Sequence, residues 1–250
     1  MIFTAAIARP EHRELLSSAL TGILAAALSV VSVAVLGASL LHLSAAYVPK
    51  VVLLFAADAV LVLRALPGSH RCVRLGAANQ VTVIRGGLVA LLAGLLGEDA
   101  GGAVAGAAVV IASAAMALDG VDGWLARRSG MASEFGARFD METDAAFVAV
   151  LALLAWRFGK VGSWVLLSGL MRYLFAAVVA VVPQLQRPVP SSLRAKTIAV
   201  LQMIALIIAL APLCAAPTAA WVAAIGLLLL VLSFSLDVAW LLRHPPTDVA

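Results

Sequence analysis

Long apolar stretches separated by short polar ones run the length of the chain. Eight of them approach membrane-spanning length: about 15–43, 51–66, 79–97, 103–128, 137–158, 161–183, 195–213 and 218–242. A bilayer core is crossed by about 20 apolar residues in a helix, so the pattern predicts an all-α, polytopic integral membrane protein. The second stretch is the shortest and contains Asp58. An acid within a span is a functional candidate by default, and a structural hydrogen bond to a neighbouring helix is the more ordinary alternative. Residues 1–14, with Arg9, Glu11, Arg13 and Glu14, read as a short interfacial arm, and Pro67 to Ala78, with His70, Arg71 and Arg74, as a second interfacial segment.

Composition supports this pattern. The 250 residues are 64% hydrophobic and only 12% charged, with a mean hydropathy of +1.09 and a pI near 9.6. The first apolar run is too long for a signal-peptide core, so a retained helix is expected, although the small residues of LSAAY leave cleavage open. With eight spans and both termini inside, thirteen basic residues collect on the cytosolic side: Arg9, Arg13, Arg64, Arg71, Arg74, Arg85, Arg127, Arg128, Arg138, Arg187, Arg194, Lys196 and Arg243. Only Lys50, Arg157 and Lys160 fall outside, and Arg172 lies within a span. That asymmetry is the positive-inside bias, and it accounts for the basic pI without nucleic acid as a partner. In this topology Cys72 and Cys214 lie on opposite sides and cannot pair. No Cys/His metal spacing, phosphate-cradling glycine loop, hydrolase elbow or nucleic-acid module appears.

Against that apolar background one stretch stands apart. DGVDGWLARRSGMASEFGARFDMETD, from Asp119 to Asp144, carries Asp119, Asp122, Asp140 and Asp144. Asp119, Asp122, Gly123, Ala126 and Arg127 are three or four residues apart and share one helix face, as do Asp140 and Asp144 on the next helix. The polar connection Arg128 to Gly136, with Ser129, Gly130 and Ser133, reads as the turn between them. Two carboxylate pairs then face each other across a helical hairpin. Four carboxylates at short range cannot all stay ionised without cations, and an all-oxygen donor set suits Mg²⁺ or Mn²⁺ rather than zinc. Two such ions are suited to holding a pyrophosphate. Gly123 and Gly136 leave room for a bulky group, and Arg127 is a bidentate donor for phosphate. Carboxylates paired structurally with Arg127, Arg128 and Arg138, or a metal-ion transporter, are the competing explanations. The first leaves too many acids for too few partners, and the second needs acids near the bilayer midplane.

The spacing Asp119-x-x-Asp122-Gly123-x-x-Ala126-Arg127, eight residues, Gly136-x-x-x-Asp140-x-x-x-Asp144 resembles the signature of the CDP-alcohol phosphotransferase family at every fixed position. Upstream, Asn79, Thr82 and Arg85 in AANQVTVIRGGL resemble the family's opening segment, with Ala78 where a proline is usual. The resemblance implies transfer of a substituted phosphate from a CDP-linked donor to an alcohol, with release of CMP. It implies that Asp119, Asp122 and Asp140 ligate two divalent cations and that Asp144 is a ligand, the base that takes the hydroxyl proton, or both. Asn79, Thr82, Gly123, Ala126, Arg127 and Gly136 are implied to shape and contact the CDP moiety. A six-helix catalytic domain is expected over 67–244, with 1–66 an arm and two-helix extension and 245–250 a cytosolic tail. Relatives are commonly homodimers, and a catalytically silent, lipid-binding relative is a further alternative.

The membrane setting favours a lipid donor such as CDP-diacylglycerol, in a bacterial inner membrane with the site facing the cytosol. Arg194 and Lys196 open the segment LRAKTIAVLQ, which with Thr197 and Gln202 is similar to one in phosphatidylglycerophosphate synthases. They are candidates for binding an acceptor phosphate, with headgroup anchoring as the alternative. Arg172 needs a partner or a wet cavity: the acceptor pocket, or an acid such as Asp237. Glycerol 3-phosphate is the leading acceptor. Tyr173 stands where those synthases carry an acid, which leaves inositol phosphate, inositol, serine or another alcohol open.

Overall fold

The computed structural model describes residues 10–69, 76–129, 133–182 and 192–243. Among them the regular structure is entirely helical: α1 Pro10–Leu40, α2 Tyr47–Ser69, α3 Ala77–Gly94, α4 Gly102–Ser129, α5 Glu134–Arg157, α6 Leu166–Val181, α7 Leu193–Leu210 and α8 Ala216–Arg243, with a 3₁₀ turn Ser163–Val165 before α6. Among the described residues six segments are long and apolar enough to cross a membrane: Glu14–Leu40, Ala77–Gly94, Gly102–Leu125, Ser163–Val181, Leu193–Leu210 and Ala216–Arg243. The protein is a polytopic integral membrane protein. The two other expected spans became helices too, but α2 carries Lys50, Asp58 and Arg64, and the first half of α5 carries much of the acidic cluster.

Several boundaries moved from their expected places. Helix α2 continues through Pro67 to Ser69 and α3 starts at Ala77, so the expected interfacial segment shrinks from both ends. The turn expected over Arg128 to Gly136 is shorter, because α4 runs to Ser129 and α5 opens at Glu134. Ser133 is the reason for that start: its hydroxyl accepts the Gly136 N–H at 3.0 Å, satisfying one of the donors a helix N-terminus leaves free. Helix α1 starts at Pro10, inside the arm expected over 1–14; residues 1–9, His70, Arg71, Cys72, Arg74, Arg187 and the tail over 245–250 lie outside the described residues.

Two compact units divide the chain, one up to Phe147 and one from Val148. In the first, α1 and α2 bury narrow stripes at three-, four- and seven-residue spacing: Ala19, Ile23, Ala26, Val30 and Ala34 on one, Val51, Phe55, Val62 and Leu66 on the other. Residues off the stripe stay open, with Leu28 72% and Leu53 71% exposed. A helix apolar on every side but packed along one seam is what a lipid surround permits. Helix α3 meets both stripes through glycines: a Cβ on Gly87 would lie 2.4 Å from Val30 Cγ2, and one on Gly94 would lie 2.5 Å from Val51 Cγ2. Helix α4 offers Ala105, Ala108, Ala112 and Ala115, small side chains that let backbones approach. At one end, Lys50 donates to Glu98 at 3.0 Å and to the Leu96 carbonyl at 2.9 Å, while Ser44 donates its backbone N–H and its hydroxyl to Glu98.

The second unit is built on α6, α7, α8 and the latter part of α5. Gly169 of α6 lies against the Ala149 backbone, where a Cβ would come within 2.6 Å of the Cα. Buried Gln202 of α7 donates to the Ser168 hydroxyl at 2.9 Å and lies against Gly226 of α8. Lys160 donates to the Ala211 and Cys214 carbonyls, tying the α5–α6 loop to the α7–α8 loop.

Candidate active site

Three helices of the first unit bring the site together. On α3, Asn79, Thr82 and Arg85 recur every three residues and so point to one side; all three are buried. On α4 the pair Asp119 and Asp122, and on α5 the pair Asp140 and Asp144, face that side. The four aspartates expected to converge do so, and they converge on Arg85.

The arginine is 1% exposed. Its Nη1 lies 2.7 Å from Asp122 Oδ2 and 2.6 Å from Asp140 Oδ1. Its Nη2 lies 2.9 Å from Asp119 Oδ1 and also bonds Asp144 Oδ1. The Thr82 hydroxyl sits 3.2 Å from both Asp122 Oδ2 and the Ala78 carbonyl oxygen, so one proton serves either. Exposure separates the acids. The Asp122 side chain is 4% exposed and forms the floor, whereas Asp140 is 40% exposed and forms the open side, with Asp119 and Asp144 between them.

Charge is far from balanced, since one guanidinium faces four carboxylates. Asp122 Oδ1 is buried with no hydrogen-bond partner. One carboxylate oxygen from each of Asp119, Asp140 and Asp144 lies within 4.8 Å of the others. A surplus of acidic oxygen, one of it buried and unsatisfied, is a donor set that fits hard divalent cations. The residues present therefore suit the metals that the motif implies.

Gly136 owes its missing side chain first to Asn79, whose Oδ1 would lie 2.6 Å from a Cβ there. That contact joins the start of α5 to α3. Gly123 lies on α4 one residue beyond Asp122. The side chains of Ala126 and Arg127 lie outside the described part. Arg128 does not reach the acids: its guanidinium lies over the Trp124 ring, 5.0 Å from the centroid.

Residues 75–233 match the family model of the CDP-alcohol phosphatidyltransferases. The chain belongs to this family. As a CDP-alcohol phosphatidyltransferase it moves a substituted phosphate from a CDP-alcohol to a second alcohol. The match takes in α3 to α7 and most of α8, and leaves α1 and α2 outside. Searches among curated proteins and among solved structures found no match.

Within the phosphatidyltransferase site Arg85, which the resemblance puts in the opening segment with Asn79 and Thr82 without a role of its own, is the residue whose part only the structure shows. It was counted among cytosolic basic residues, and the structure buries it among the acids. The available signal was its position, three residues after Thr82 in an apolar helix, where an arginine needs anionic partners. The three acceptor candidates belong to the second unit. Arg194 pairs with Asp237 and donates to the Ser233 carbonyl, Lys196 is exposed near the start of α7, and Arg172 is half-buried on α6. Asp58 faces Gly86 of α3, and its Oδ2 is buried without a partner, so that oxygen makes no hydrogen bond to the neighbouring helix.

Proposed function

We propose that the protein transfers a phosphatidyl group from a CDP-linked lipid, CDP-diacylglycerol, to the hydroxyl of a small polar alcohol, with glycerol 3-phosphate the leading acceptor. The observation carrying this reading is the convergence of Asp119, Asp122, Asp140 and Asp144 on one point of a membrane protein. Asp119, Asp122 and Asp140, with Asp144, would hold two Mg²⁺ or Mn²⁺ ions, which supply neutralisation of the pyrophosphate charge. Catalysis of this kind rests on positioning and on charge stabilisation.

The acceptor oxygen forms a bond to the phosphorus bearing the diacylglycerol. The bond from that phosphorus to the bridging oxygen breaks, and its electron pair leaves with CMP. Asp144 takes the hydroxyl proton; its side chain is only half-buried, less sealed than that of Asp122 at the floor. Asn79, Thr82, Gly123, Ala126, Arg127 and Gly136 shape the CDP subsite, with Thr82 and Asn79 fixing the floor and the start of α5. Arg172, Arg194 and Lys196 serve a phosphorylated acceptor. In this reading the site faces the cytosol of a bacterial inner membrane, α1 and α2 are an extension of a six-helix catalytic domain over 67–244, and the protein works as a homodimer.

The experiment is release of CMP from CDP-diacylglycerol by purified protein with Mg²⁺ or Mn²⁺, against glycerol 3-phosphate, inositol phosphate, inositol and serine, with the lipid product identified by mass spectrometry. Phosphatidylglycerophosphate formed from glycerol 3-phosphate alone is the expected result. A different single product reassigns the acceptor, and no CMP release with any alcohol removes CDP-diacylglycerol as donor. Arg194→Ala raises the KM for the acceptor more than that for the donor; the reverse order moves Arg194 to the nucleotide.

A further inference from the structure

The two terminal nitrogens of a guanidinium carry four N–H groups, and in Arg85 each nitrogen serves two different aspartates. Every terminal donor is thereby committed to a separate carboxylate. The remaining donor, Nε, is buried without a partner. Arginine stays charged at any pH at which the fold survives, so this cation is permanent. The oxygens it holds on Asp119, Asp140 and Asp144 belong to the carboxylates grouped closely enough for a metal. A divalent ion and the guanidinium therefore want the same lone pairs, and they repel each other while sharing them.

We propose that Arg85 is a built-in counter-cation of the aspartate site: it holds the four carboxylates together before metal binds and competes with divalent ions for them, setting the metal concentration at which the site fills. The inference rests on reading this cluster as a metal site. It gives Arg85 two opposed effects. Without metal it relieves the mutual repulsion of four acids packed against three helices. In the presence of metal the same charge weakens binding, so a variant lacking it should be less stable alone and bind more tightly. A residue that only supported the ligands would lower both stability and affinity.

The test is Mn²⁺ binding by the full-length protein in detergent, read from the electron paramagnetic resonance signal of free Mn²⁺, together with thermal unfolding with and without the ion. Arg85→Gln is expected to bind Mn²⁺ at least about tenfold more tightly than the native protein, because a positive charge within a few ångströms of the ion has gone. It should unfold at a lower temperature without Mn²⁺ and show the larger rise when the ion is added. Arg85→Lys keeps the charge but cannot address four carboxylates at once, so its affinity should fall between the two. Arg85→Gln binding equally or more weakly, with Arg85→Lys restoring the native affinity, overturns the competition while leaving the metal site in place. A native protein that binds no Mn²⁺ overturns both. If Arg85→Gln cannot be obtained folded, Arg85→Lys decides: tighter binding than native supports the proposal, and equal or weaker binding overturns it.

Discussion

Two charged clusters in the first unit answer the same physical demand in opposite ways. At the loop end, Lys50 meets Glu98 one for one, and the glutamate is further satisfied by the Ser44 backbone and hydroxyl, while the lysine also bonds the Leu96 carbonyl. Around Arg85, four acids share one base, and Asp122 Oδ1 and Arg85 Nε are left buried without partners. A balanced cluster stabilises the protein that contains it. An unbalanced one stores electrostatic cost until a ligand relieves it, which is how a site differs from a brace.

Breaking that contrast at the site has the largest expected effect. Asp140→Asn or Asp122→Asn should lower turnover by about three orders of magnitude, since metal stabilisation of the transition state is worth several kcal/mol. The apo-protein should unfold at an unchanged or higher temperature, because an uncompensated charge is gone. Near-native turnover in either variant would remove the carboxylate from the chemistry, and a large drop in melting temperature would make its role structural. Removing divalent ions with excess chelator should abolish transfer and lower the melting temperature, by the equivalent of about 2.7 kcal/mol for a site previously held at a hundred times its Kd. Activity that survives the chelator argues against metal dependence.

At the brace the effects are smaller and confined to stability. Lys50→Met should cost about 1 kcal/mol, the scale of a partly exposed ion pair and its hydrogen bonds, with CMP release unchanged. A loss of activity in this variant would mean that the loop end communicates with the site. Glu98 provides the smallest test. Burial alone would raise its pKa, but the Ser44 backbone N–H, the Ser44 hydroxyl and Lys50 together hold it below the ordinary range. A depressed folded pKa contributes stability that is fully present above the unfolded value of about 4.3 and is lost as pH falls through the folded value. Unfolding curves of the native protein and Glu98→Gln should therefore differ by a few tenths of a kcal/mol near neutrality and converge in acid. A gap that persists or widens at low pH would assign the difference to packing instead.

The helices were legible because hydropathy in a membrane protein is nearly a structural map: each long apolar run became a helix, with ends displaced by a few residues. The displacements have local causes, such as the Ser133 cap that starts α5. The aspartates were legible because three- and four-residue spacing fixes a helix face before any packing is known. Gly136 was read as room for a ligand, and its nearest constraint proved to be Asn79, 57 positions earlier in the sequence. Asp58 was open between a functional role and a hydrogen bond across helices, and its buried Oδ2 lies against Gly86, which has no side chain to offer.

The sequence by itself determined the class of the protein, its helical content and the identity and pairing of its four acids, because these follow from local periodicity and from the cost of placing charge in lipid. Only the tertiary structure decided which cation those acids meet. Arg85 lies on a different helix, 34 residues before Asp119, and its spacing from Thr82 in an apolar helix says that it needs an anionic partner without saying which. Its burial at the point where α3, α4 and α5 meet is a product of packing, and packing made it the hub of the site.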